Sequence, residues 1–354
     1  MTSPPAGRVP LPIAVTLGDP AGIGPEILVK SWRDAPELMR GCFVAGDVGV
    51  LRRASQALAA EGALPLPVAA LDTAAQAWAV PPRCIPVLPV VQAPADIVLG
   101  RISAEAGRVA GEAVVWAARA ALRGEVAALV TAPLHKEALA AAGFPYPGHT
   151  ELLQAEAAAH LGRPVAEVPV RMMLANEELR TVLVSIHMGL RQAIDTLNMA
   201  GVLETIRIAH HALGAMLGAA PHIGVAGLNP HAGEGGLFGR EDLDIIAPAV
   251  AAARAEGIRA DGPHAPDTVF MRARARNGKP GEFDAVIAMY HDQGLIPVKY
   301  MGVEQGVNVT LGLPLVRTSP DHGTAFDIAG RGVADASSLL AAVRMARALS
   351  ARAG

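Results

Sequence analysis

The stretch PIAVTLGDPAGIGPEILVKSW, residues 12–32, begins as a short apolar run and changes at Gly18 into a turn rich in Gly and Pro. The run 12–17 has the length and apolar character of a buried strand. Pro25 then opens the helical pattern PEILVKSW, and proline suits the first turn of a helix. The stretch therefore predicts a strand, a Gly-rich loop and a helix.

The same succession recurs along the chain. Helical patterns are predicted after residue 46 as far as Leu58, over 104–122, near 198–217 and over 241–256. Strands are predicted at 42–46, 127–133, 170–175, 180–186 and within HIGVAGLNP and DAVIAMYHD. This alternation favours an α/β protein with a mostly parallel sheet. The two adjacent strands joined by the polar NEE predict one antiparallel hairpin.

Composition excludes several classes of protein. The 354 residues are 51% hydrophobic, and the net charge of -3 favours neither nucleic acid nor a membrane surface. Every apolar run is interrupted well before the roughly 20 residues that a bilayer requires. The N-terminal residues 1–12 are typical of a short disordered lead and not of a signal peptide. Two cysteines, Cys42 and Cys84, without a CxxC motif favour reduced thiols in a cytoplasmic protein.

Polar residues collect where the apolar strands end. Five strings dense in Gly, Pro, Asn, Asp and His follow predicted strands: GDPAGIGPE (18–26), TAPLHKE (131–137), GLNPHAGEGG (227–236), MYHDQG (289–294) and RTSPDHGTAFDIAG (317–330). In open α/β sheets, ligands bind beyond the carboxyl ends of the strands. The sequence therefore predicts one composite site built from several loops. It contains none of GxGxxG, GxxxxGK[ST], HExxH or GxSxG, so any nucleotide must bind through other loop chemistry.

Three of the eleven histidines stand just beyond an apolar strand: His187, His231 and His291. Neutral imidazole is a common ligand for divalent zinc, cobalt, nickel or iron, and three such ligands leave positions open for a substrate. Their separation along the chain carries no ligand-spacing signature, so position alone makes a shared metal only one interpretation. Asp292, beside His291, fits an orienting partner of a ligand, a further ligand, or the N-cap of a helix.

Few basic residues accompany these loops. His149 and Thr150 stand at a predicted helix start, which suits an anion such as phosphate, although Thr150 is equally consistent with helix capping alone. Lys299 follows His291 by about two helical turns if the intervening residues are helical, and Pro297 argues against a long helix there. Lys299 and Arg317 are also consistent with surface ion pairs.

Together these strings resemble the 4-hydroxythreonine-4-phosphate dehydrogenase family of pyridoxal phosphate biosynthesis, over residues 11–350. The matching strings are GDPAGIGPE, TAPLHKE, GFPYPGHTE, MMLANEELR, GLNPHAGEGG, DGPHAPDT, MYHDQGLIPVKY and GVNVTLGLPLVRTSPDHGTAFDIAG. The resemblance implies an isocitrate/isopropylmalate dehydrogenase-like fold, with two α/β/α domains and a cleft between them. It implies a first domain of 11–148 with 318–354 on the cofactor side, and a second domain of 149–317 with the metal, substrate and dimer contacts.

The resemblance also assigns roles to residues. The metal ligands are implied to be His187, His231 and His291, holding one divalent ion (zinc, magnesium or cobalt). The substrate contacts are implied to be His149, Thr150, Lys299, Asn308 and Arg317. NAD or NADP is implied as cofactor, with His322, Gly323 and Asp327 in the cofactor loop. A homodimer with a shared active site is implied, in which His291 comes from the other chain.

The activity implied is oxidation of a small phosphorylated hydroxy acid followed by decarboxylation. Lys299 is the candidate for proton transfer or for charge stabilisation, with Asp267 and Asp292 as alternatives. The chain departs from the family pattern after His187, where it has Met188-Gly189-Leu190-Arg191. A sister dehydrogenase of 4-phospho-D-erythronate or D-threonate therefore stays an alternative to the oxidation of 4-hydroxy-L-threonine 4-phosphate. A non-catalytic metabolite-binding protein is a third hypothesis, and the three retained histidines with Lys299 argue against it.

Overall fold

The computed structural model describes residues 10–59, 64–302 and 305–351, and the chain divides into two compact units. Unit 1 runs as far as His160 and takes in Gly323–Ala336. Unit 2 consists of Leu161–His322 and resumes at Ser337. The lead predicted for residues 1–12 lies largely outside the described residues.

Unit 1 is a parallel α/β unit. Its strands are β1 (Ile13–Thr16), β2 (Cys42–Gly46), β3 (Val68–Ala70), β4 (Ile85–Pro89) and β5 (Ala128–Thr131). Its helices are α1 (Gly24–Asp34), α2 (Val48–Ala57), α3 (Ala104–Leu122), α4 (Lys136–Ala141) and α5 (His149–Leu161), the last ending one residue into unit 2. The strand order is β3-β4-β2-β1-β5 and every pairing is parallel. The strand, loop and helix predicted for residues 12–32 are confirmed as β1, a turn and α1.

The pairing register brings two of the predicted strings together. Ile13 of β1 lies opposite Cys42 on one side and Ala128 on the other. All four residues of β1 are buried. Since β1 and β5 are parallel neighbours, they end at the same edge of the sheet. GDPAGIGPE and TAPLHKE therefore emerge side by side.

Unit 2 has a mixed sheet. Its strands are β6 (Arg171–Ala175), β7 (Arg180–Leu183), β8 (Ile223–Ala226), β9 (Ala260–His264), β10 (Ala285–Ala288), β11 (Val307–Leu311) and β12 (Arg317–Pro320). Its helices are α6 (Leu190–Asp195), α7 (Met199–Leu217), α8 (Ala247–Ala255), α9 (Val269–Ala273), α10 (His291–Tyr300) and α11 (Ser337–Ser350), and a π-helical turn, Asp242–Ile246, precedes α8. The order is β12-β11-β6-β7-β10-β8-β9.

The predicted hairpin of β6 and β7 is confirmed, but the antiparallel part of the sheet is larger than one hairpin. β11 pairs antiparallel with both β6 and β12, whereas β7, β10, β8 and β9 are parallel. The extra hairpin arises because the chain reverses after Leu311, where Gly312 has a φ of 91° that favours glycine. The sequence therefore predicted one antiparallel pairing where the sheet has three.

The boundaries of the units differ from those expected at 148/149 and 317/318. The helix α11 belongs to unit 2, because it packs against β12 and β11. The hydroxyl of Thr318 on β12 donates to the carbonyl of Ala342 on α11 at 2.8 Å. Only Gly323–Ala336 of the C-terminal part joins unit 1.

The helix α10 continues through Pro297, against the expectation that this proline argues against a long helix. Pro297 lies in the second half of a ten-residue helix, so it removes only one backbone hydrogen bond. Nδ2 of Asn176 donates to the carbonyl of Val298 at 3.2 Å and supports the last turn. Lys299 consequently stands two turns after His291 on one helix.

None of the described helices combines the length and the apolar character needed to cross a lipid bilayer. The core of unit 2 lies on the face of its sheet that α9 and α10 cover. Its buried members include Leu174, Leu183, Phe283, Val286, Leu295 and Val298. Packing of α10 on this core holds both ends of that helix in place.

Candidate functional site

The turn after β1 in unit 1 lies against the loop after β5. The backbone N–H of Asp19 donates to the carbonyl of Pro133 at 2.8 Å. Gly18 has a φ of 72°, and a Cβ atom there would lie 2.5 Å from the same carbonyl oxygen. Only glycine allows the two loops to approach this closely at residue 18, so Gly18 permits their contact.

Asp19 is fully buried at this junction. Its Oδ1 accepts the backbone N–H of Ala21 at 2.8 Å, whereas Oδ2 has no hydrogen-bond partner among the described residues. Burial raises the pKa of Asp19, and the N–H of Ala21 and the nearby His135 oppose that effect. Nδ1 of His135 also lacks a partner within the described part of the chain. Its ring stacks on Phe326 with the centroids 4.9 Å apart. At this edge of the unit 1 sheet, Oδ2 of Asp19 and Nδ1 of His135 could therefore each form a further hydrogen bond.

The returning segment 323–336 packs against the turn between β1 and α1. The N–H of Ile23 donates to the carbonyl of Thr324 at 3.0 Å. A Cβ atom on Gly22 would lie 2.9 Å from the same oxygen, so a side chain there would force the two loops apart. Strings from the two ends of the chain, GDPAGIGPE and HGTAFDIAG, are therefore in direct contact within unit 1.

A buried carboxylate anchors the rest of this segment. Glu26 of α1 accepts the backbone N–H of Gly332 at 3.2 Å and that of Ala334 at 2.7 Å. Nζ of Lys30 lies 2.9 Å from the same carboxylate and also donates to the carbonyl of Gly332. The segment is held by side chains of α1 and not by a sheet ladder.

The three predicted cofactor residues lie around the start of this segment. Gly323 and Asp327 are exposed in unit 1, while His322 is half-buried at the end of the central part of unit 2. Between them, Ala325 has a φ of 42°, in the left-handed region that non-glycine residues rarely adopt. The backbone turns sharply at Ala325. The cofactor-binding role of His322, Gly323 and Asp327 stays a prediction.

His149 and Thr150 open α5, as expected from the pattern. Both side chains are half-buried, and they belong to unit 1. The first turn of a helix offers free backbone N–H groups and the positive end of the helix dipole, which together suit an anion. The phosphate-binding role of these two residues stays a prediction.

Two of the predicted metal ligands are neighbours in unit 2. His187 follows β7 and His291 opens α10 after β10, and β7 and β10 are adjacent parallel strands. Their ring centroids lie 5.9 Å apart. Both line a cavity of about 380 Å³ together with Asp292, Met188 and Leu190. The parallel pairing brings these histidines to one sheet edge, as their positions after strands predict.

The donors in this cavity suit a divalent transition metal. Nδ1 of His291 lies 2.7 Å from Oδ1 of Asp292, so a proton on Nδ1 would bind the carboxylate and leave Nε2 free as a ligand. This contact fits the orienting role predicted for Asp292. The alternative interpretation, that Asp292 is the N-cap of α10, is wrong, because the N-cap residue is Tyr290. His187 supplies a second imidazole, and imidazole nitrogens bind zinc or cobalt well.

His231 lies on an unusual loop after β8. It begins a run of residues with left-handed backbone, in which φ is 53° at His231, 54° at Ala232 and 42° at Glu234. Non-glycine residues in this region cost free energy and persist only where the surroundings fix them. The residues that the structure describes contain no group of three metal-binding side chains, so His231 joins no such cluster within one chain.

A buried carboxylate fixes this loop. Asp242 is fully buried, and its Oδ1 accepts the backbone N–H of Leu228 at 2.8 Å. Its Oδ2 accepts from the backbone and side chain of Asn229 at 3.2 and 2.8 Å. Asp242 therefore holds the base of the loop that carries His231. Sequence reasoning missed this residue, which lies inside a predicted helix.

The remaining predicted substrate residues lie on α10 and the β11–β12 hairpin. Asn308 is half-buried on β11 opposite Ser319 of β12. Arg317 is 4% exposed, and its Nη1 donates to Oγ1 of Thr310 at 3.0 Å. The burial of Arg317 excludes the surface ion pair that was its alternative interpretation.

Lys299 is ion-paired at the end of α10. Its Nζ lies 2.9 Å from Oδ2 of Asp321, the residue directly after β12. The backbone N–H of Asp321 donates to the hydroxyl of Ser338 at 3.1 Å, and this bond fixes the backbone of Asp321. Asp321 lies within the quoted string 317–330, yet nothing in its pattern marked it as the partner of Lys299. Asp267, the other alternative for proton transfer, is exposed in the turn between β9 and α9.

Comparison with known proteins identifies the family of this chain. Residues 38–346 match the family described as pyridoxal phosphate biosynthetic protein PdxA. The 4-hydroxythreonine-4-phosphate dehydrogenase of Beijerinckia indica is 51% identical over 335 residues, covering 93% of this chain and 92% of that protein. The D-threonate 4-phosphate dehydrogenase of Salmonella typhimurium is 43% identical over 344 residues, covering 96% and 98%. The crystal structure of 4-hydroxythreonine-4-phosphate dehydrogenase from Klebsiella pneumoniae has a TM-score of 0.83 and 42% identity, covering 96% of this chain and 99% of that one.

Proposed function

This chain belongs to the family of the pyridoxal phosphate biosynthetic protein PdxA, and on that premise we propose which reaction it catalyses. The reaction is the NAD- and metal-dependent oxidation of 4-hydroxy-L-threonine 4-phosphate at its 3-hydroxyl, in the cytoplasm. Decarboxylation then yields 3-amino-2-oxopropyl phosphate. The enzyme is an oxidoreductase acting on a CH–OH group, as its relatives are named.

The observation that carries this proposal is the pair His187 and His291 beside one cavity, with Lys299 on the same helix as His291. A divalent ion (zinc, magnesium or cobalt) held by His187, His231 and His291 would supply Lewis acidity toward the substrate hydroxyl, and NAD or NADP would accept the hydride. Lys299 is positioned by Asp321 to hold or transfer a proton at Nζ. Asp292 orients the ring of His291.

The substrate is a phosphorylated hydroxy acid, and five residues are proposed to hold it: His149, Thr150, Lys299, Asn308 and Arg317. Arg317 suits an anionic group because its buried guanidinium is a planar, permanently charged donor. The first turn of α5 offers backbone N–H groups for a phosphate. The nicotinamide cofactor is proposed to contact the loop of His322, Gly323 and Asp327.

The active enzyme is proposed to be a homodimer with a shared active site. Apolar side chains next to the histidine cavity support a second copy as the partner. Met188 is 40% exposed and Leu190 is 56% exposed, and both line the cavity that holds His187. Leu237 and Phe238, which follow the His231 loop, are 73% and 47% exposed. Exposed pairs of large apolar side chains such as these two are typical of surfaces that another protein covers. Which histidine the partner contributes stays a prediction, with His291 the residue implied by resemblance.

One observation favours a second candidate substrate. The D-threonate 4-phosphate dehydrogenase of Salmonella typhimurium is 43% identical to this chain. The residues that depart from the family pattern, Met188 to Arg191, include two that line the histidine cavity. Since the hydride and metal chemistry is shared, only the acid distinguishes 4-hydroxy-L-threonine 4-phosphate from 4-phospho-D-threonate or 4-phospho-D-erythronate.

The test is NADH formation by metal-reconstituted protein with each of the three acids. We expect 4-hydroxy-L-threonine 4-phosphate to give the highest kcat/KM. Higher kcat/KM with 4-phospho-D-threonate or 4-phospho-D-erythronate would select the second candidate. A chelator should abolish turnover, and zinc, cobalt or magnesium should restore it. Turnover that a chelator leaves unchanged would contradict the metal-dependent reaction.

A further inference from the structure

A second cavity in unit 2 lies away from the histidines. It has a volume of about 510 Å³, within the range of small-molecule sites. Its lining includes Arg180, the first residue of β7, and Val307, the first residue of β11. His187 follows the other end of β7. The cavity therefore opens at the edge of the sheet opposite to the one where the proposed metal ligands lie.

Arg180 presents a poorly compensated charge to this cavity. Its Nε is inaccessible to solvent and has no hydrogen-bond partner among the described residues. Its Nη1 makes one long hydrogen bond, at 3.3 Å, to the carbonyl of Asp284. Burial lowers the pKa of Arg180, and the charge of Asp284 opposes this only in part. A buried guanidinium without a full set of acceptors is costly, so an anion beside it would stabilise the fold.

Arg344 of α11 adds a second positive charge to the same cavity. Within the described ranges, neither Arg344 nor Arg180 has a carboxylate at ion-pair distance, although seven other arginines of unit 2 do. Glu177 also lines the cavity, and it is exposed to solvent. Two guanidinium groups on one cavity are the arrangement that binds phosphate or carboxylate oxygens.

The amides Asn176 and Gln305 also line the cavity, and the remaining wall is apolar. Met216 and Leu217 from the end of α7, Val307 and Met345 line the cavity. Met216 and Val307 are almost fully buried. Methionine side chains adapt their shape to flat or irregular ligands. A ligand that fits both parts of the wall needs an anionic group and a compact apolar body.

We propose that this cavity is a binding site for a small organic anion, a phosphate monoester or carboxylate carried on an apolar, ring-sized body. The anionic group lies between Arg180 and Arg344, and the ring lies against Met216 and Met345. The site is separate from the proposed metal site and does not depend on the proposed reaction.

The test uses phenyl phosphate as the probe, with binding measured by isothermal titration calorimetry on the full-length protein. Arg344→Gln should weaken binding about tenfold or more, because it removes a charge-assisted contact. Ala348→Asp should weaken it similarly, because a carboxylate placed on the exposed cavity wall competes with the ligand for the guanidinium groups. Arg347→Gln, on the same helix but outside the cavity lining, is the matched control and should bind like the wild type.

Inorganic phosphate and phenol separate the two parts of the site. Each should bind more weakly than phenyl phosphate, since one lacks the ring and the other lacks the charge. Equal affinity of phenyl phosphate for the wild type, Arg344→Gln and Ala348→Asp would overturn the proposal, and so would an absence of binding to the wild type. Binding of phenyl phosphate at the proposed active site would appear as inhibition of NADH formation that persists in Arg344→Gln. All three variants should retain wild-type NADH formation, so failure of this proposal is distinguishable from failure of the proposed function.

Discussion

In unit 2, Nζ of Lys299 lies 2.9 Å from Oδ2 of Asp321, which ties the last turn of α10 to the residue after β12. The Asp321 side chain is 8% exposed, whereas that of Lys299 is 40% exposed. A sheltered carboxylate held by its own backbone contact can therefore fix the position of a partly exposed ammonium group. The ion pair therefore restricts the rotation of the Lys299 side chain and holds its Nζ in one position.

Substitution at this pair should lower turnover to different extents. Lys299→Met should reduce kcat/KM by about 100-fold or more, because it removes the group proposed for proton transfer. Asp321→Asn should cause a smaller loss, about tenfold, because Lys299 remains but is no longer held by a charge. Steady-state NADH formation measures both. Lys279→Met, at an exposed lysine of the same unit, is the control, and a loss as large as that of Lys299→Met would point to a general effect of lost charge.

His231→Ala should abolish activity and leave the fold intact. Loss of a residue that merely supports a metal ligand costs about 10- to 100-fold, so loss of a ligand should cost at least the upper value. The measurements are kcat, bound metal by atomic absorption, and circular dichroism. His211→Ala, at an exposed histidine of α7, should change none of them. Full activity and full metal content in His231→Ala would remove His231 from the site.

Asp242→Asn should destabilise the protein by about 1–3 kcal/mol, because a buried acceptor of several N–H groups loses its charge and part of its accepting capacity. Activity should fall as well, since the loop carrying His231 is no longer fixed at its base. Urea unfolding followed by circular dichroism gives the change in free energy of unfolding. Asp244→Asn, at a neighbouring exposed carboxylate, is the comparison. Equal stability of the two variants would mean that the hydrogen bonds of Asp242 contribute little.

Asp19→Asn should have an effect that depends on pH. Burial raises the pKa of Asp19 above its ordinary value of 3.8, which applies to the unfolded chain. The folded chain therefore binds the proton of this carboxyl group more tightly than the unfolded chain does. The contribution of Asp19 to stability is therefore fully present below that value and is lost as the pH rises through the pKa of the folded state. Asparagine does not titrate, and its Oδ1 can still accept the N–H of Ala21.

The free energy of unfolding of Asp19→Asn, relative to the wild type, should accordingly increase from about pH 4 to about pH 8. Urea unfolding at both pH values measures it. Asp96→Asn replaces an exposed carboxylate of the same unit and should show no comparable trend. A relative stability of Asp19→Asn that falls with pH would mean that the ionised carboxylate is favoured in the fold, contrary to its burial.

Much of the fold could be predicted because apolar periodicity and turn residues are local signals. The helix over 104–122 and the hairpin of β6 and β7 follow from such patterns and are confirmed. The second hairpin was missed because the turn between its strands, residues 312–316, reads GLPLV and contains no polar side chain, so no polar turn marks where the chain reverses. The assignment of α11 to unit 2 was missed because it depends on packing against β12, which no local pattern encodes.

The candidate site divides in the same way. His187 and His291 are neighbours because their strands are parallel and adjacent, which the rule about strand ends anticipates. The positioning carboxylates Asp242 and Asp321 could not be found from sequence. Their partners are distant in sequence or are backbone N–H groups, and a backbone donor leaves no trace in the choice of side chain. The substrate-binding role proposed for Asn308 depends on family resemblance, because no local pattern marks this residue as a ligand contact.

The anchoring of Gly323–Ala336 by Glu26 has a consequence for synthesis on the ribosome. Glu26 is made early, and its N–H partners at Gly332 and Ala334 follow some 300 residues later. At about 5–20 residues per second, the nascent α1 waits roughly 15–60 s for them. Nearly all of unit 2 is translated in that interval. Unit 1 therefore cannot reach its final form before residue 334 has been made, and a chain released earlier would leave the buried carboxylate of Glu26 without these two N–H donors.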